Sequence, residues 1–116
     1  MKRKAIITSI NGPYLTPRER NLIKHEHPWG LIIFKRNIKN MVQLKRLIKD
    51  IKKAANNSKF PILIDEEGGT VSRLTKVIKN DVSQKLIGNI YSINNKLGTL
   101  IYNNYIDKLS SLLKEI

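Results

Sequence analysis

The chain has 116 residues and carries 22 Lys and Arg against 9 Asp and Glu, which gives a formal net charge of +13. This length suffices for one small domain with one core and is too short for two. The absence of cysteine excludes disulfides and thiolate catalysis, and two histidines are too few for the usual zinc sites. The sequence contains neither an apolar run of the roughly 20 residues that span a membrane nor a secretory signal. We therefore expect a soluble, cytoplasmic protein that binds no metal and no membrane.

The excess of positive charge raises the question of an anionic partner, nucleic acid above all. The cations are mostly lysine and are spread along the whole chain. No known nucleic-acid motif is present, nor a cluster of basic and aromatic residues of the kind that stacks bases. We interpret the cations as a solvated basic surface and keep nucleic-acid binding as the less favoured alternative.

The chain begins with patterns typical of one strand and one helix. An apolar, β-branched run predicts the first strand at residues 4–10. Residues 16–19 form a capping box with proline at the first helical position, which predicts a short helix that ends before Pro28. His25 and His27 are two residues apart and do not face each other on a helix, so we interpret them as a solvated helix end rather than a ligand pair.

A second strand is predicted at residues 30–34, and Arg36 and Asn37 lie just past its C-terminal end. Arg36 is either a ligand group or, together with Asn37, fixes the loop by bonding backbone carbonyls and neighbouring strand ends; we favour the second interpretation. Asn40 then begins a helix with an apolar stripe at helical spacing, which predicts a face packed on the core. The stripe contains Leu44, Leu47, Ile48, Ile51 and Ala55.

The third predicted strand, at residues 61–64, ends in three carboxylates and two glycines. In α/β proteins the C-terminal ends of the strands hold ligands, so we expect a polar site at Asp65. Gly68 and Gly69 lack Cβ atoms, so the loop can turn tightly and approach a ligand or another segment closely. Arg73 returns a cation eight positions after Asp65.

Two further helices are predicted after this loop. Residues 81–84 resemble a capping box that opens a short helix to about residue 91. A longer helix is predicted from about residue 93 to the end, with an apolar face. That face contains Leu97, Leu100, Ile101, Tyr105, Leu109, Leu112 and Leu113. The connections between the three strands are too long for hairpins, which predicts an α/β fold with a parallel sheet.

Residues 65–73 resemble the Asp-Gln-Glu-Gly-Gly-Arg-Val-Gln-Arg signature of family 3 glycoside hydrolases, in particular the bacterial β-N-acetylhexosaminidases of peptidoglycan recycling. Residues 30–37 resemble the same family's strand and loop, in which Gly is followed by three apolar residues, Phe, any residue, Arg and Asn. Both motifs occur in the family's order and at its spacing, which makes the resemblance specific. The family's two glutamines and first arginine are replaced by Glu66, Ser72 and Thr70. The signature positions that agree are Asp65, Glu67, Gly68, Gly69, Val71 and Arg73.

The resemblance implies a TIM-like (β/α)8 barrel, which typically needs about 250 residues. Residues 1–116 are therefore expected to be a single incomplete domain, the N-terminal third of such a barrel, with its first three βα units. In that case the outer edges of the sheet lack partners. We expect the chain to be marginally stable, prone to associate, or dependent on a complementary chain that carries the rest of the barrel.

The activity implied by the resemblance is hydrolysis of terminal non-reducing N-acetyl-β-glucosamine residues, without a cofactor. Asp65 would accept hydrogen bonds from sugar hydroxyls and Arg73 would orient that carboxylate. The alternative for Asp65 is a strand-end carboxylate that caps backbone N–H groups. Glu67 is expected to bond the amides of its own loop. Gly68 and Gly69, together with Arg36 and Asn37, are expected to shape the loop.

No catalytic residue is expected in this chain. The carboxylates at residues 65–67 are consecutive, so they cannot approach a sugar from two sides as hydrolysis requires. By resemblance, the nucleophilic aspartate and the acid/base histidine lie beyond residue 116. The expected partner molecules are peptidoglycan fragments that contain N-acetylglucosamine. The alternatives are an inactive relic or amino-sugar binding module and, less favoured, a basic nucleic-acid-associated protein.

Overall fold

A computed structural model describes residues 3–116 of the chain as alternating strands and helices. None of the helices in this part of the chain is long and apolar enough to cross a bilayer. The elements are β1 (Lys4–Thr8), α1 (Pro17–Glu26), β2 (Pro28–Ile33), a short 3-10 helix (Lys35–Asn37), α2 (Met41–Ala54), β3 (Ile62–Ile64), α3 (Gln84–Ile93) and α4 (Asn95–Lys114).

The three strands form one parallel sheet in the order β1-β2-β3. Leu31, Ile32 and Ile33 of β2 pair in unbroken register with the three residues of β3. The register between β1 and β2 shifts once, between Lys4 and Ile7. The predicted fold class, an α/β fold with parallel strands and flanking helices, is therefore confirmed.

Side-chain caps fix where α1 and α2 begin. The Thr16 hydroxyl accepts a hydrogen bond from the Glu19 N–H at 3.2 Å, and the Glu19 carboxylate accepts one from the Thr16 N–H at 2.8 Å, so the predicted capping box is present. The Asn40 side chain accepts from the Gln43 N–H at 2.9 Å at the start of α2. These bonds satisfy N–H groups that have no partner within the helix.

The core lies between the sheet and the apolar face of α2. Leu44, Leu47 and Ile51 are buried, as the stripe predicts, while Ile48 and Ala55 are half-buried. Burial of one such aliphatic side chain contributes about 1.5–3 kcal/mol. The core that α2 joins also contains Ile10, Ile23, Leu31, Ile33, Ile38, Ala54, Phe60 and Leu74. This packing holds the C-terminal ends of β2 and β3 in place.

The start of α3 differs from the sequence prediction. Ser83, not Asp81, caps the helix, because the Ser83 hydroxyl accepts from the Leu86 N–H at 3.2 Å. The Asp81 carboxylate instead pairs with the Lys79 ammonium at 3.0 Å. The prediction of a capping box at residues 81–84 is therefore wrong. The capping residue lies two positions later than predicted.

The two C-terminal helices pack closely at one glycine. Gly98 of α4 is buried, and a Cβ added there would lie 2.5 Å from the Tyr91 Cα of α3. A glycine inside a helix costs about 1 kcal/mol relative to alanine. Here the missing side chain is what allows the two backbones to approach.

Apolar side chains remain exposed on the first strand, β1, and on the last helix, α4. The predicted stripe of α4 is divided, because Leu109 and Leu112 pack against the core whereas Leu100 is 58% exposed. At the other end, Ile6 of β1 is 55% exposed. Within residues 3–116, β1 and β3 each pair with one strand, so both edges of the sheet are open.

Candidate functional site

The polar residues singled out in the sequence gather at one edge of the sheet. The strands are parallel, so the loops that follow them emerge at the same edge. Arg36 and Asn37 follow β2, and Asp65 follows β3 directly. This edge is the candidate site.

Asp65 and Arg73 form an ion pair at the C-terminal end of β3. The Arg73 Nη2 donates to the Asp65 Oδ2 at 3.2 Å, and the two side chains are 46% and 27% exposed, respectively. Within the described part of the chain, no backbone N–H bonds the Asp65 carboxylate, so it does not cap its strand end. Because a carboxylate has about four acceptor positions, Asp65 retains free positions toward solvent.

The loop that carries Arg73 is held by Glu66. The Glu66 Oε2 accepts from the backbone N–H of Arg73 at 2.7 Å and of Leu74 at 3.0 Å. The Glu66 Oε1 accepts from the Asn80 Nδ2 at 2.9 Å. Glu67 is exposed and contributes its backbone N–H, which donates to the Val71 carbonyl at 3.3 Å. The expectation that Glu67 bonds the loop amides is thus corrected, since Glu66 takes that part.

The environment of Glu66 favours its ionised form. Burial alone would raise the pKa of this carboxyl. The nearby Ser72 hydroxyl, whose geometry falls short of a hydrogen bond, and the bonds donated by Leu74, Arg73 and Asn80 outweigh burial and lower the pKa of Glu66 below its ordinary value. Glu66 is therefore ionised at neutral pH and acts as an acceptor.

Asn80 connects this loop to α4. Asn80 is buried, and its Nδ2 lies within hydrogen-bond distance of both the Glu66 carboxylate and the Tyr105 hydroxyl, the latter at 3.1 Å. Its backbone carbonyl accepts from the Gly69 N–H at 2.9 Å. The sequence did not predict that Asn80 and Tyr105 belong to the site, because they lie far from Glu66 along the chain and no motif marks them. Tyr105 was expected only as part of the apolar face of the last helix.

Gly68 and Gly69 let the loop turn and approach a neighbouring segment. Their φ angles are +78° and +60°, a region that favours glycine. A Cβ on Gly68 would lie 2.3 Å from the Val82 carbonyl oxygen, and one on Gly69 would lie 2.8 Å from the Ser83 Cβ. The close approach is therefore to residues of the chain itself.

Arg36 and Asn37 bond the loop after β1. The Arg36 Nε donates to the Ile10 carbonyl at 3.1 Å and its Nη2 to the Ser9 hydroxyl at 3.0 Å. The buried Asn37 side chain donates to the carbonyls of Ile10 and Gly12 and accepts from the Phe34 N–H. These contacts correspond to the second interpretation of the pair, in which both residues fix the loop.

A separate groove of about 310 Å³ lies between α2, β3 and the end of α4. Its lining is apolar apart from Lys52 and includes neither Asp65 nor Arg73. A sugar needs several hydrogen-bond partners, which this groove does not offer. We therefore place the candidate site at the polar edge of the sheet. Residues 3–116 contain no group of three or more His, Cys, Asp or Glu arranged to hold a metal ion.

Comparison with known proteins supports the resemblance seen in the two motifs. The chain is 37% identical over 70 residues to a protein of Psychromonas ingrahamii named "Beta-hexosaminidase". The aligned residues are 60% of this chain and 20% of that protein. A protein of the same name from Thioalkalivibrio sulfidiphilus is 29% identical over 93 residues, or 80% of this chain and 26% of that protein. No protein-family model matches the chain.

Solved structures give the same result. NagZ from Neisseria gonorrhoeae, solved in complex with N-trifluoroacetyl-D-glucosamine, superposes with a TM-score of 0.71 at 28% identity, over 79% of this chain and 26% of that one. A family 3 β-N-acetylglucosaminidase from Paenibacillus sp. has a TM-score of 0.54 at 31% identity, over 66% of this chain and 14% of that one.

These findings confirm the resemblance to family 3 glycoside hydrolases and to the N-terminal, TIM-like part of their fold. The chain spans about a fifth to a quarter of the length of the curated relatives named above.

Proposed function

We propose that this chain supplies part of the N-acetylglucosamine subsite of a β-N-acetylhexosaminidase, an enzyme that hydrolyses terminal non-reducing N-acetyl-β-glucosamine residues. The observation that carries the proposal is the half-exposed Asp65–Arg73 pair at the C-terminal end of β3. Similarity to proteins named "Beta-hexosaminidase" supports the choice of sugar and reaction.

In this proposal Asp65 binds the sugar and Arg73 orients Asp65. An ionised carboxylate accepts hydrogen bonds from two adjacent hydroxyl groups, which is the pattern that a pyranose ring offers. The Arg73 guanidinium holds the Asp65 Oδ2 at 3.2 Å and so restricts rotation of the carboxylate. Gly68 and Gly69 give the loop the turn that brings Arg73 back to Asp65.

The catalytic groups are proposed to come from a complementary part of the barrel. Retaining hydrolysis requires a nucleophile and a proton donor on opposite sides of the glycosidic bond. Asp65 is paired with Arg73, and Glu66 accepts three hydrogen bonds within its own loop, so neither is placed to act as a free acid or nucleophile. The 116-residue chain alone is therefore expected to bind the sugar without cleaving it.

The substrates that we propose are peptidoglycan fragments that contain N-acetylglucosamine, and the compartment that we propose is the cytoplasm. The choice of substrate follows from the resemblance to the peptidoglycan-recycling branch of the family. A related possibility is an amino-sugar binding module that never takes part in catalysis. The Asp65–Arg73 pair supports this second function equally, because the proposed role of the pair in binding the sugar does not require a catalytic partner.

Sugar binding tests the proposal directly. N-acetylglucosamine is titrated into the 116-residue chain, its Asp65→Asn variant and a control variant, Asp107→Asn, which removes an exposed carboxylate on α4. We expect Asp65→Asn to weaken binding about tenfold or more, because a charged acceptor becomes a neutral amide, while Asp107→Asn binds as the parent does. Equal binding by all three chains, or none by the parent, contradicts the proposal.

Activity separates the two functions. The chain is assayed with an aryl N-acetyl-β-glucosaminide, alone and after co-expression with the remaining two-thirds of a related barrel. We expect no turnover by the chain alone and turnover, sensitive to Asp65→Asn, by the assembled pair. Turnover by the pure 116-residue chain contradicts the proposed division of labour. Sugar binding without turnover in the assembled pair favours the binding module.

A further inference from the structure

We propose that Glu66 is the positioning residue of the Asp65–Arg73 pair and that Asn80 and Tyr105 hold Glu66 in turn. The inference rests on the proposed function in so far as it concerns sugar binding, and it adds a supporting residue to that site. It also links the site to α4, which contains Tyr105.

The contacts of Glu66 close a ring around the candidate site. Glu66 follows Asp65 in the chain, and its Oε2 accepts from the Arg73 N–H at 2.7 Å. The Arg73 guanidinium then returns to the Asp65 Oδ2. Glu66 thus fixes the backbone of Arg73, while the Arg73 side chain contacts Asp65, the residue next to Glu66. A shift of Glu66 would move both members of the pair relative to each other.

Other bonds of the loop do not replace this contact. The Val71 N–H donates to the Gly68 carbonyl at 3.2 Å, and the Glu67 N–H donates to the Val71 carbonyl at 3.3 Å. These bonds close the turn before Arg73. They do not involve the Arg73 N–H, which donates to Glu66. Because Glu66 also binds the Leu74 N–H, it fixes two consecutive peptide groups.

The second oxygen of Glu66 is bonded by Asn80, which also contacts Tyr105 of α4. The Asn80 Nδ2 lies 2.9 Å from the Glu66 Oε1 and 3.1 Å from the Tyr105 hydroxyl. Asn80 is buried, so its amide would lose about 1–3 kcal/mol if left without partners. The position of Glu66 therefore depends on α4 lying against the loop, and the sugar site is complete only when α4 is docked.

Two substitutions of Glu66 should differ in how much of the hydrogen-bond network they preserve. Glu66→Ala leaves the N–H groups of Arg73 and Leu74 and the Asn80 amide without their acceptor. Glu66→Gln keeps one oxygen for the two backbone N–H groups. Its new NH₂ group would meet the Asn80 NH₂ group, but rotation of the Asn80 amide presents an oxygen instead. A neutral network can thus form, and Glu66→Gln should rescue much of the function.

The experiment uses the 116-residue chain and three measurements on each variant: the NMR shifts of the Arg73 and Leu74 amides, the side-chain signals of Arg73, and the affinity for N-acetylglucosamine. Glu67→Ala is the matched control, because it removes the adjacent carboxylate, which is exposed and lies outside the network. Tyr105→Phe, which removes one oxygen, is measured as well in case Glu66→Ala fails to fold.

We expect Glu66→Ala to shift both amides upfield, to average the Arg73 side-chain signals and to weaken sugar binding about tenfold or more. Glu66→Gln should lie within about threefold of the parent affinity and Tyr105→Phe between the two, with Glu67→Ala unchanged. Unaltered Arg73 signals in Glu66→Ala would overturn the inference. If Glu66→Ala does not fold, unaltered Arg73 signals in Tyr105→Phe would overturn it. If the parent binds no sugar, the proposed function fails, whereas the Arg73 signals still decide the role of Glu66.

Discussion

The half of the chain that contains the sheet and the half that contains α3 and α4 bury their apolar side chains to different degrees. In the first half, α2 presents Leu44, Leu47 and Ile51 to the core, and all three are buried. In the second half, α3 and α4 pack mainly on each other, and residues such as Leu100 remain exposed. The first half is therefore held by apolar packing, while polar contacts at Asn80 help to hold the second half to it.

This difference bears on the candidate site, which lies between the two halves. Asp65 belongs to the end of β3 and is fixed by the core beneath it. Arg73 lies in the loop that follows, and its position depends on Glu66 and, through Asn80, on α4. One member of the proposed sugar-binding pair thus follows a strand that packs on the core, and the other is placed by a hydrogen-bond network.

The largest expected effect is on stability, and it compares a buried leucine of the first half with an exposed leucine of the second. Leu47→Ala should lower the free energy of unfolding by about 2–5 kcal/mol, because Leu47 is 1% exposed and its removal leaves a cavity. Leu100→Ala on α4 is the control and should cost less than about 1 kcal/mol, since Leu100 is 58% exposed. Denaturant titration measures both values. Equal losses would contradict the difference in burial between the two halves.

A second prediction concerns the contact between α3 and α4. Gly98→Ala should destabilise the chain by about 1–3 kcal/mol, because its Cβ would lie 2.5 Å from the Tyr91 Cα. Gly88→Ala is the matched control in α3, where an added Cβ meets nothing within 4 Å. The control should stabilise the chain by up to about 1 kcal/mol through helix propensity. Thermal unfolding of both variants tests the packing, and a stabilising Gly98→Ala would contradict it.

A third prediction concerns local opening. Amides in the middle of α2 should exchange with solvent only on global unfolding, because α2 is anchored in the core. Amides in α3 and in the first half of α4 should exchange about tenfold faster or more, since these segments have fewer buried apolar contacts. Native-state hydrogen exchange measures both groups. The same protection in both halves would remove the distinction drawn between them.

The smallest expected effect is a pH dependence of the loop. The pKa of Glu66 is lowered from its ordinary value of 4.5, so its hydrogen bonds are fully present above that pH and are lost as the pH falls through the lowered value. The Arg73 and Leu74 amide shifts should follow this titration. Asp65 and Arg73 are the charged groups beside Glu66. Glu66→Gln removes the carboxyl at residue 66 alone, so the difference between the two chains isolates the contribution of Glu66. Identical titrations in both chains would contradict the assignment.

Local patterns predict much of this fold because they act over a few residues. The capping box at residues 16–19, the Asn40 cap and the apolar stripe of α2 each require only neighbours in sequence, and each is present. The parallel sheet follows from strands separated by helices. The start of α3 is less predictable, since two capping residues, Asp81 and Ser83, compete there and a nearby lysine pairs with the aspartate.

The candidate site is only partly predictable. The sequence places Asp65 and Arg73 eight residues apart, and the structure brings them together. Which of three consecutive carboxylates turns inward depends on the positive φ angles of Gly68 and Gly69 and on a buried partner, Asn80, that no local pattern marks. Sequence alone therefore assigned the loop-holding part to Glu67, and the three-dimensional contacts assign it to Glu66.

The most direct test of the central claim is to follow the backbone amides by NMR while N-acetylglucosamine is added to the 116-residue chain. We predict saturable shifts centred on residues 65–74, with Asp65 and Arg73 among the most affected, and their loss in Asp65→Asn. Shifts confined to the apolar groove beside Phe60 and Leu113, or no saturable shift at all, would contradict the assignment of this edge of the sheet to sugar binding.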